Sequence, residues 1–256
     1  MIPEAILIHH PWANNYSHWF IDCMPRLLSV RGYEKYSVLL PSDYQRFAKD
    51  TLEALGVKAI IPLERRFYYK VRRLILPDMP AFDSLANYYS DIAALRQRFL
   101  ATWGKSSDPK LRIYLSRAKA SRRKVINEQE LLPVLSEYGF SIITTEGWSL
   151  AEQVSLFSQA EVLLSIHGAG LMNLLWMPEK STIVEIVSAS HVQQAPPLFM
   201  YANHARLYYY IAPTAPHSVK DIFDRADVIV NPEHLVKFPK EKKILPAEPS
   251  CEETLL

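Results

Sequence analysis

Short apolar runs that are rich in β-branched residues alternate with helix-type patterns between residues 111 and 211. Strands are predicted at Arg112–Leu115, Phe140–Thr144, Val162–Ile166, Thr182–Val187 and Arg206–Ile211. Helices are predicted at Asn127–Tyr138, Ser149–Ala160, Ala169–Trp176 and Pro197–His204, and the pairs Asn127/Glu130 and Ser149/Glu152 have the spacing of capping boxes. This regular alternation of strand and helix predicts a parallel, doubly wound sheet.

The first 103 residues repeat the alternation less regularly. Strands are predicted at Ala5–Ile8, Ser37–Leu40, Ala59–Pro62 and Val71–Leu76, and helices at Ser17–Arg31, Tyr44–Leu55 and Tyr88–Trp103. The polar stretch from Gly104 to Lys110 is the best candidate for a domain boundary, and so two α/β lobes are expected. The pattern weakens after Pro216, a helix is predicted from Pro232 to Lys237, and the tail Pro239–Leu256 is expected to be mobile.

Composition narrows the class of protein. Hydrophobic residues make up 49% of the 256 residues, charged residues make up 22%, and the net charge is +2. These values exclude global disorder and give no support to nucleic-acid binding. Two cysteines are too few for a disulfide framework or a zinc site. The sequence shows no signal-peptide pattern and no apolar run of membrane-spanning length, and so a cytoplasmic location is expected, with room for a peripheral membrane contact.

Glycine is scarce, with 7 residues in the chain, yet two of them lie in the turn between a buried-type strand and a predicted helix. Gly168 and Gly170 follow His167, which ends the strand. Glycines let a ligand approach the backbone, and the first amides of a helix favour an anion, so the turn predicts a dock for a phosphate or a sugar nucleotide. The alternative is that the glycines only allow close helix–sheet packing. The turn is not a dinucleotide fingerprint, because Asn173 stands at the position of the third glycine, and it is not a P-loop, because no Gly-Lys-Ser/Thr sequence ends it.

A basic stretch, Ser116–Lys124, contains five cations and no acidic residue. It also follows a predicted strand, so Arg117 and Arg123 are expected near the carboxyl edge of the sheet, where their guanidinium groups could bind a diphosphate. The alternative is a solvated basic loop, and a nucleic-acid site is disfavoured by the small net charge.

In the predicted helix Ser17–Arg31, His18, Asp22 and Arg26 are spaced four residues apart and so share one face. Asp22 could orient His18 or act itself as a general base. The alternative is an Asp22–Arg26 surface pair beside a core histidine. Pro25 is expected to disturb the helix. No Asp-x-Asp pair is present, which favours chemistry without a metal ion.

Four segments, taken in chain order, resemble glycosyltransferase family 61. The first is Asn15-Tyr16-Ser17-His18-Trp19 with Asp22, Pro25, Arg26 and Leu27. The second is Tyr114-Leu115-Ser116-Arg117 with Arg123, Asn127 and Glu128, and the third is Glu146 with Ser149, Leu150, Glu152 and Gln153. The fourth is His167-Gly168-Ala169-Gly170-Leu171 with Asn173, Leu174, Met177, Pro178 and Glu185. Met172 departs from the small or hydroxyl residue that is common in the family, and the family usually has more chain before the first segment, which predicts a reduced first lobe.

The resemblance implies an α/β fold of the GT-B type, in which two Rossmann-like lobes with parallel sheets face a cleft. The acceptor-side lobe would be residues 1–105, the donor-binding lobe residues 106–215, and a C-terminal segment residues 216–256. The implied reaction is an inverting transfer of a sugar from a nucleotide-sugar donor, expected to be UDP-linked, to a hydroxyl of a glycan, lipid-linked or protein acceptor. No cofactor, no metal ion and no nucleic-acid partner are expected, and the oligomeric state stays open.

The resemblance also implies roles for individual residues. Asp22 or His18 would deprotonate the acceptor hydroxyl, with Arg26 in support. The donor would be held, with support from Ser116, by Arg117, Arg123, Glu146, His167, Gly168, Ala169, Gly170, Asn173 and Glu185. Two other classes stay open, namely an oxidoreductase that binds a dinucleotide at the Gly168 turn with Glu185 on a ribose hydroxyl, and a non-catalytic module that binds a carbohydrate or a partner.

Overall fold

The computed structural model describes residues 1–78, 85–105, 110–190, 205–218 and 226–241, and for residues 85–89 and 238–241 it describes the backbone alone. The chain forms two compact units. The first comprises Met1–Gly104 together with Gly147–Ser155, and the second comprises Lys105–Glu146 together with the chain from Leu156 onward.

The first unit is built on a four-stranded parallel sheet in the order β3-β2-β1-β4. Its strands are β1 (Ile2–Leu7), β2 (Ser37–Pro41), β3 (Ala59–Leu63) and β4 (Val71–Ile75). The two longer helices are α3 (Arg46–Ala54) and α4 (Leu85–Trp103). β1 lies in the interior of the sheet and buries Ala5 and Ile6 completely, whereas the outer strand β4 is largely exposed.

The predicted helix Ser17–Arg31 forms as three short pieces. They are α1 (Tyr16–His18), a π-helix (Trp19–Cys23) and α2 (Met24–Leu28). The Met24 N–H donates to the Trp19 carbonyl, five residues back, and Pro25 lies in the first turn of α2, where a missing N–H costs least. The expected disturbance therefore occurs as a π-helical turn, a local irregularity that is frequent at functional sites.

The second unit is built on a five-stranded parallel sheet in the order β6-β5-β7-β8-β9. Its strands are β5 (Leu111–Leu115), β6 (Phe140–Ile143), β7 (Ala160–Ile166), β8 (Thr182–Ser188) and β9 (Arg206–Ala212). Its helices are α5 (Glu128–Glu137), α6 (Leu150–Phe157), which begins in the first unit, a 3-10 helix (Ala169–Trp176) and α7 (Pro232–Glu241). β8 is buried along its whole length, including Glu185 among its β-branched residues. The prediction of two α/β lobes with parallel sheets is confirmed.

The two predicted capping boxes differ in outcome. At the start of α6 the Glu152 N–H donates to Ser149 Oγ at 3.2 Å, and the Ser149 N–H donates to Glu152 Oε2 at 2.7 Å, which confirms the box. The prediction of a capping box at Asn127 is wrong, because the Asn127 side chain makes no capping hydrogen bond. The Asn127 side chain instead exchanges two hydrogen bonds with the backbone of Val230, because a segment distant in sequence supplies the competing donor and acceptor.

Contacts between residues that are far apart in the sequence also decide which unit a segment belongs to. Gly147–Ser155 lies within the predicted second lobe but packs with the first unit, where the Leu150 N–H donates to Asp50 Oδ2 at 3.1 Å. The described residues after 216 pack with the second unit, and the Lys124 N–H donates to Asp227 Oδ1. α7 reaches Glu241, so the first residues of the predicted mobile tail are helical, whereas the rest of that tail and the predicted helix Pro197–His204 lie outside the described residues.

Candidate active site

In the first unit, His18 and Asp22 form a hydrogen-bonded pair. His18 Nδ1 lies 2.7 Å from Asp22 Oδ2, because α1 and the π-helix place the two side chains one turn apart. The prediction that these residues share one face is confirmed. At the start of this segment the Asn15 side chain accepts a hydrogen bond from the Ser17 N–H, which is the N-cap that fixes its first turn.

His10 joins this pair and was missed by the sequence reasoning. Its Nδ1 lies 3.4 Å from Asp22 Oδ2, and its ring stacks on that of His18 with centroids 5.9 Å apart. The position of His10 just after β1 was a usable signal, because the carboxyl ends of parallel strands commonly carry ligand-binding side chains. The exposed fractions are 25% for His10, 34% for His18 and 15% for Asp22, so the cluster is partly open to solvent.

The surroundings of the cluster are aromatic and apolar. Trp12 is 65% exposed, and its ring lies against both His10 and His18. Cys23 is buried behind Asp22, and burial, followed by the charge of Asp22, raises the pKa of its thiol to about 12. Cys23 is therefore an inert core residue at neutral pH.

Arg26 does not pair with Asp22. Its Nη1 donates instead to the His9 carbonyl at 3.4 Å, and the Asp22 carboxylate faces the two histidines. The alternative interpretation of an Asp22–Arg26 surface pair is therefore wrong. Arg26 thus contacts the backbone just before His10.

The same three side chains could also hold a metal ion. One ligand atom each from His10, His18 and Asp22 lies within 4.8 Å of the others. Two imidazole nitrogens and a carboxylate oxygen are a donor set that suits zinc and other transition metals. The cluster therefore fits two uses, proton transfer and metal binding, which a chelation experiment separates.

In the second unit, Arg117 and Gly168 are brought together at the carboxyl ends of β5 and β7. A Cβ atom built on Gly168 would lie 2.5 Å from Arg117 Nη1 and 3.0 Å from its Cζ. Gly168 has an extended backbone, so the absence of its side chain is what matters here, because it leaves room for the guanidinium. Two residues that are 51 positions apart thus form one surface at the turn.

The Arg117 side chain is held from behind by its own loop. Its Nε donates to the Arg123 carbonyl and its Nη2 to the Arg122 carbonyl, both at 3.3 Å. Arg123 has a φ of 55°, a left-handed conformation that is uncommon for a residue with a side chain and that aims this carbonyl. Backbone carbonyls satisfy some of the guanidinium donors while leaving its positive charge available to an anion.

The charge environment of Arg117 is mixed. Burial is the main influence that lowers its pKa, Glu146 raises it, and Arg122 lowers it. A guanidinium stays protonated at physiological pH despite such shifts. Glu146 is exposed, so the structure places it at the rim of this cationic site. A half-buried cation of this kind is suited to binding a diphosphate.

His167 is oriented by a buried carboxylate. His167 Nδ1 is in hydrogen-bond contact with Glu185 Oε1, and Glu185 is fully buried on β8. Glu185 Oε2 has no hydrogen-bond partner among the described residues. The structure therefore places the fully buried Glu185 behind His167, where it orients the imidazole.

Gly170 and Asn173 support the turn from inside. A Cβ on Gly170 would lie 2.7 Å from Leu115 Cδ2, so the alternative of close packing against the sheet applies to this glycine. Asn173 is fully buried and its Nδ2 donates to the Gly170 carbonyl at 3.0 Å. Ala169, at the start of the 3-10 helix, is half-buried, whereas Gly168 is buried against the Arg117 side chain.

A buried carboxylate also fixes the end of β5. Glu128, in the first turn of α5, accepts a hydrogen bond from the Tyr114 hydroxyl at 2.7 Å and another from Ser116 Oγ at 3.0 Å. Burial, followed by Glu128, raises the pKa of Tyr114 and keeps that hydroxyl protonated. Sequence reasoning gave Glu128 no role, although its place in the second segment that resembles the family was a signal.

The described residues also include a cavity of about 450 Å³ in the first unit. It is lined by residues of β2, α3, β3 and the adjoining loops, among them Tyr44, Lys49 and Lys58. None of the predicted site residues lines it. One of its lining residues also contacts the backbone of the cluster, because the Tyr44 hydroxyl donates to the His10 carbonyl at 3.4 Å.

Comparison with known proteins supplies the family. A family model described as Glycosyltransferase 61 matches residues 16–184, well over half of the chain. A beta-1,2-xylosyltransferase of Oryza sativa subsp. japonica is 35% identical over 71 residues, which is 27% of this chain and 12% of that protein. The EGF domain-specific O-linked N-acetylglucosamine transferase of Drosophila melanogaster is 35% identical over 86 residues, covering 32% of this chain and 16% of that protein.

A longer match joins the chain to a third relative. The protein O-linked-mannose beta-1,4-N-acetylglucosaminyltransferase 2 of Tetraodon nigroviridis is 23% identical over 183 residues, covering 65% of this chain and 31% of that protein. The chain thus spans less than a third of the length of each of these relatives. Among solved structures, the E. coli heptosyltransferase WaaC with ADP matches 94% of this chain and 99% of its own, with a TM-score of 0.48 and 11% identity.

Proposed function

Because this chain belongs to glycosyltransferase family 61, we propose that it moves a sugar from a nucleotide-sugar donor, UDP-linked, to a hydroxyl of a glycan, lipid-linked or protein acceptor. The proposed reaction inverts the anomeric carbon, needs no metal ion and takes place in the cytoplasm. The named relatives that transfer xylose or N-acetylglucosamine support the reaction class.

The proposal rests on the contact between the Arg117 guanidinium and Gly168, whose lack of a side chain leaves room for the guanidinium. This contact joins the cationic loop after β5 to the first amides of the 3-10 helix after β7. A 3-10 helix leaves these amides without intrahelical partners, so they can donate to a phosphate. The charge of the leaving diphosphate grows in the transition state, and fixed donors aimed at it lower the barrier.

His18 and Asp22 would accept the proton. The acceptor hydroxyl gives its proton to this pair as its oxygen attacks the anomeric carbon from the face opposite the nucleotide. The bond between the anomeric carbon and the diphosphate oxygen breaks, and the nucleoside diphosphate leaves with the bonding electrons. The contact of His18 Nδ1 with Asp22 Oδ2 supports the joint role, because a carboxylate that orients an imidazole stabilises the imidazolium that forms.

Donor binding is tested by calorimetric titration of the full chain with UDP, GDP and CMP. We expect UDP to bind, and Arg117→Ala to weaken its affinity by about tenfold or more, as loss of a charge-assisted contact does. Arg206→Ala is a matched control, because Arg206 is an exposed cation at the amino end of β9, the opposite end of the same sheet. Equal affinity in the Arg117→Ala protein would refute the donor site.

The metal-independent step is tested by chelation. Transfer in EDTA is expected to equal transfer in buffer, because the cations of the second unit would stabilise the leaving group. If EDTA abolishes transfer and added zinc or manganese restores it, then His10, His18 and Asp22 act as metal ligands and the proton-transfer role is wrong.

No observation favours an oxidoreductase over a transferase. That alternative needs Glu185 on a ribose hydroxyl, and Glu185 is buried against His167. A non-catalytic module is distinguished by activity, since it would bind the nucleotide without releasing it from the donor.

A further inference from the structure

A basic and aromatic surface lies on the first unit, far in the sequence from the segments that match the family's motifs. It consists of Arg66, Phe67, Tyr68, Lys70, Arg72 and Leu74, on β4 and the loop that precedes it. From Arg65 to Pro77 the chain carries five cations and no acidic residue. This surface has no part in the proposed transfer.

The loop before β4 is ordered by hydrogen bonds at both ends. The Phe67 N–H donates to the Glu64 carbonyl in a turn, and the Glu64 N–H donates to the Tyr69 hydroxyl at 2.9 Å. At the other end the Ile2 N–H donates to the Lys70 carbonyl at 2.9 Å. The loop therefore presents its tip in a fixed position.

The tip carries aromatic side chains in full contact with solvent. Phe67 is 69% exposed and Tyr68 is at the exposure of an isolated residue. Leu74 of β4 and Leu76, just after its end, are 42% and 63% exposed. Large apolar side chains are thus exposed both before β4 and at its end, and exposed apolar groups of this kind indicate an interaction surface.

The cations in this part of the chain differ in whether they form ion pairs. Arg65 pairs with Asp43, and Arg73 with Glu4. Arg66, Lys70 and Arg72 are exposed and have no ion-pair partner among the described residues. Three cations beside exposed aromatic and aliphatic groups complement an anionic and amphipathic partner.

We propose that this surface docks on an anionic lipid bilayer. Phe67 and Tyr68 would enter the headgroup region, where amphipathic rings are stable, and Arg66, Lys70 and Arg72 would bind lipid phosphates. The exposed leucines favour lipid over nucleic acid, because aliphatic groups gain from the acyl boundary and not from bases or phosphates. The absence of acidic residues disfavours pairing with the same surface of a second copy, since like charges would meet.

Flotation of the full chain with vesicles tests the proposal. We expect binding to phosphatidylcholine vesicles that contain phosphatidylglycerol, weak binding to phosphatidylcholine alone, and loss of binding as salt rises. Each cation near an anionic surface contributes about fivefold to partitioning, so Arg66→Gln/Lys70→Gln/Arg72→Gln should lower it on the order of a hundredfold. Phe67→Ser/Tyr68→Ser should also lower it while leaving the charge unchanged.

A matched control neutralises three other exposed cations of the same unit. Arg31→Gln/Lys35→Gln/Lys58→Gln changes the net charge equally and is expected to keep partitioning within about threefold of the wild type. Equal losses in both triple variants would mean that net charge alone drives binding, and would overturn the proposal. So would an absence of vesicle binding, or binding to single-stranded DNA in its place. UDP titration of each variant keeps this outcome separate from the proposed transfer.

Discussion

The two groups of candidate site residues, one in each unit, are assembled over different distances in the sequence. In the first unit, His18 and Asp22 lie one helical turn apart, and His10 comes from the adjoining loop. In the second unit, the surface at Gly168 depends on Arg117, and its support reaches Glu128 and Glu185 on other elements. The first arrangement is local, so its chemistry can be removed without disturbing the fold. The second is shared with the core, so binding and stability are linked there.

The largest expected effect tests the local arrangement in the first unit. Asp22→Asn keeps the size of the side chain but removes the carboxylate that contacts His18 and His10, and we expect kcat to fall about 10²- to 10⁴-fold. UDP affinity and the thermal midpoint should stay near the wild-type values. A fall in kcat of less than about tenfold in a transfer assay would show that the pair is not the proton acceptor.

The next effect tests, through the free energy of unfolding, the arrangement in the second unit that is shared with the core. Glu128→Ala leaves the hydroxyls of Tyr114 and Ser116 buried without an acceptor, and should lower the free energy of unfolding by about 2–4 kcal/mol. Glu130→Ala, an exposed carboxylate in the same helical turn, should cost less than about 1 kcal/mol. Urea unfolding measures both. Equal losses would mean that Glu128 acts through the helix dipole and not through its two hydrogen bonds.

Two glycines of the same turn separate binding from packing. Gly168→Ala would push its Cβ into the end of the Arg117 side chain, which can move, and so UDP affinity should fall about tenfold with little loss of stability. Gly170→Ala would push its Cβ into Leu115 of β5, and should lower the free energy of unfolding by about 1–3 kcal/mol. The reverse assignment of the two effects would show that Gly170 faces the ligand. Calorimetric titration and urea unfolding distinguish these outcomes.

The smallest effect compares how readily the two units unfold locally, around Cys23 in the first unit and around position 181 in the second. In a Cys251→Ser background, the pKa of about 12 for Cys23 should slow its reaction with a thiol reagent at pH 8 on the order of a thousandfold relative to a free thiol. Ser181→Cys, combined with Cys23→Ser, places a thiol at a buried site of the second unit where the hydroxyl has no hydrogen-bond partner among the described residues. In dilute urea we expect Cys23 to react first, because its segment is a short, irregular helix. Earlier reaction at position 181 would contradict the comparison.

The sequence predicted the sheets well, because strands such as β7 and β8 are buried on both faces and consist mostly of apolar residues. It predicted the His18–Asp22 pair because helical spacing is a local property. It did not predict the capping partner of Asn127 or the placement of Glu185, because both depend on elements far along the chain. Arg117 was predicted from the basic residues around it, but its contact with Gly168 could not be predicted, because the fold brings these two distant residues together.

The assignment of Gly147–Ser155 to the first unit has a practical consequence for hybrid enzymes. The chain passes between the units at three points, after Gly104, after Glu146 and after Ser155. A chimera joined at residue 105 alone would therefore combine Asp50 of one parent with the Leu150 backbone of another. Recombining the two units of different relatives requires two exchanged segments, and the shorter of them carries the capped start of α6.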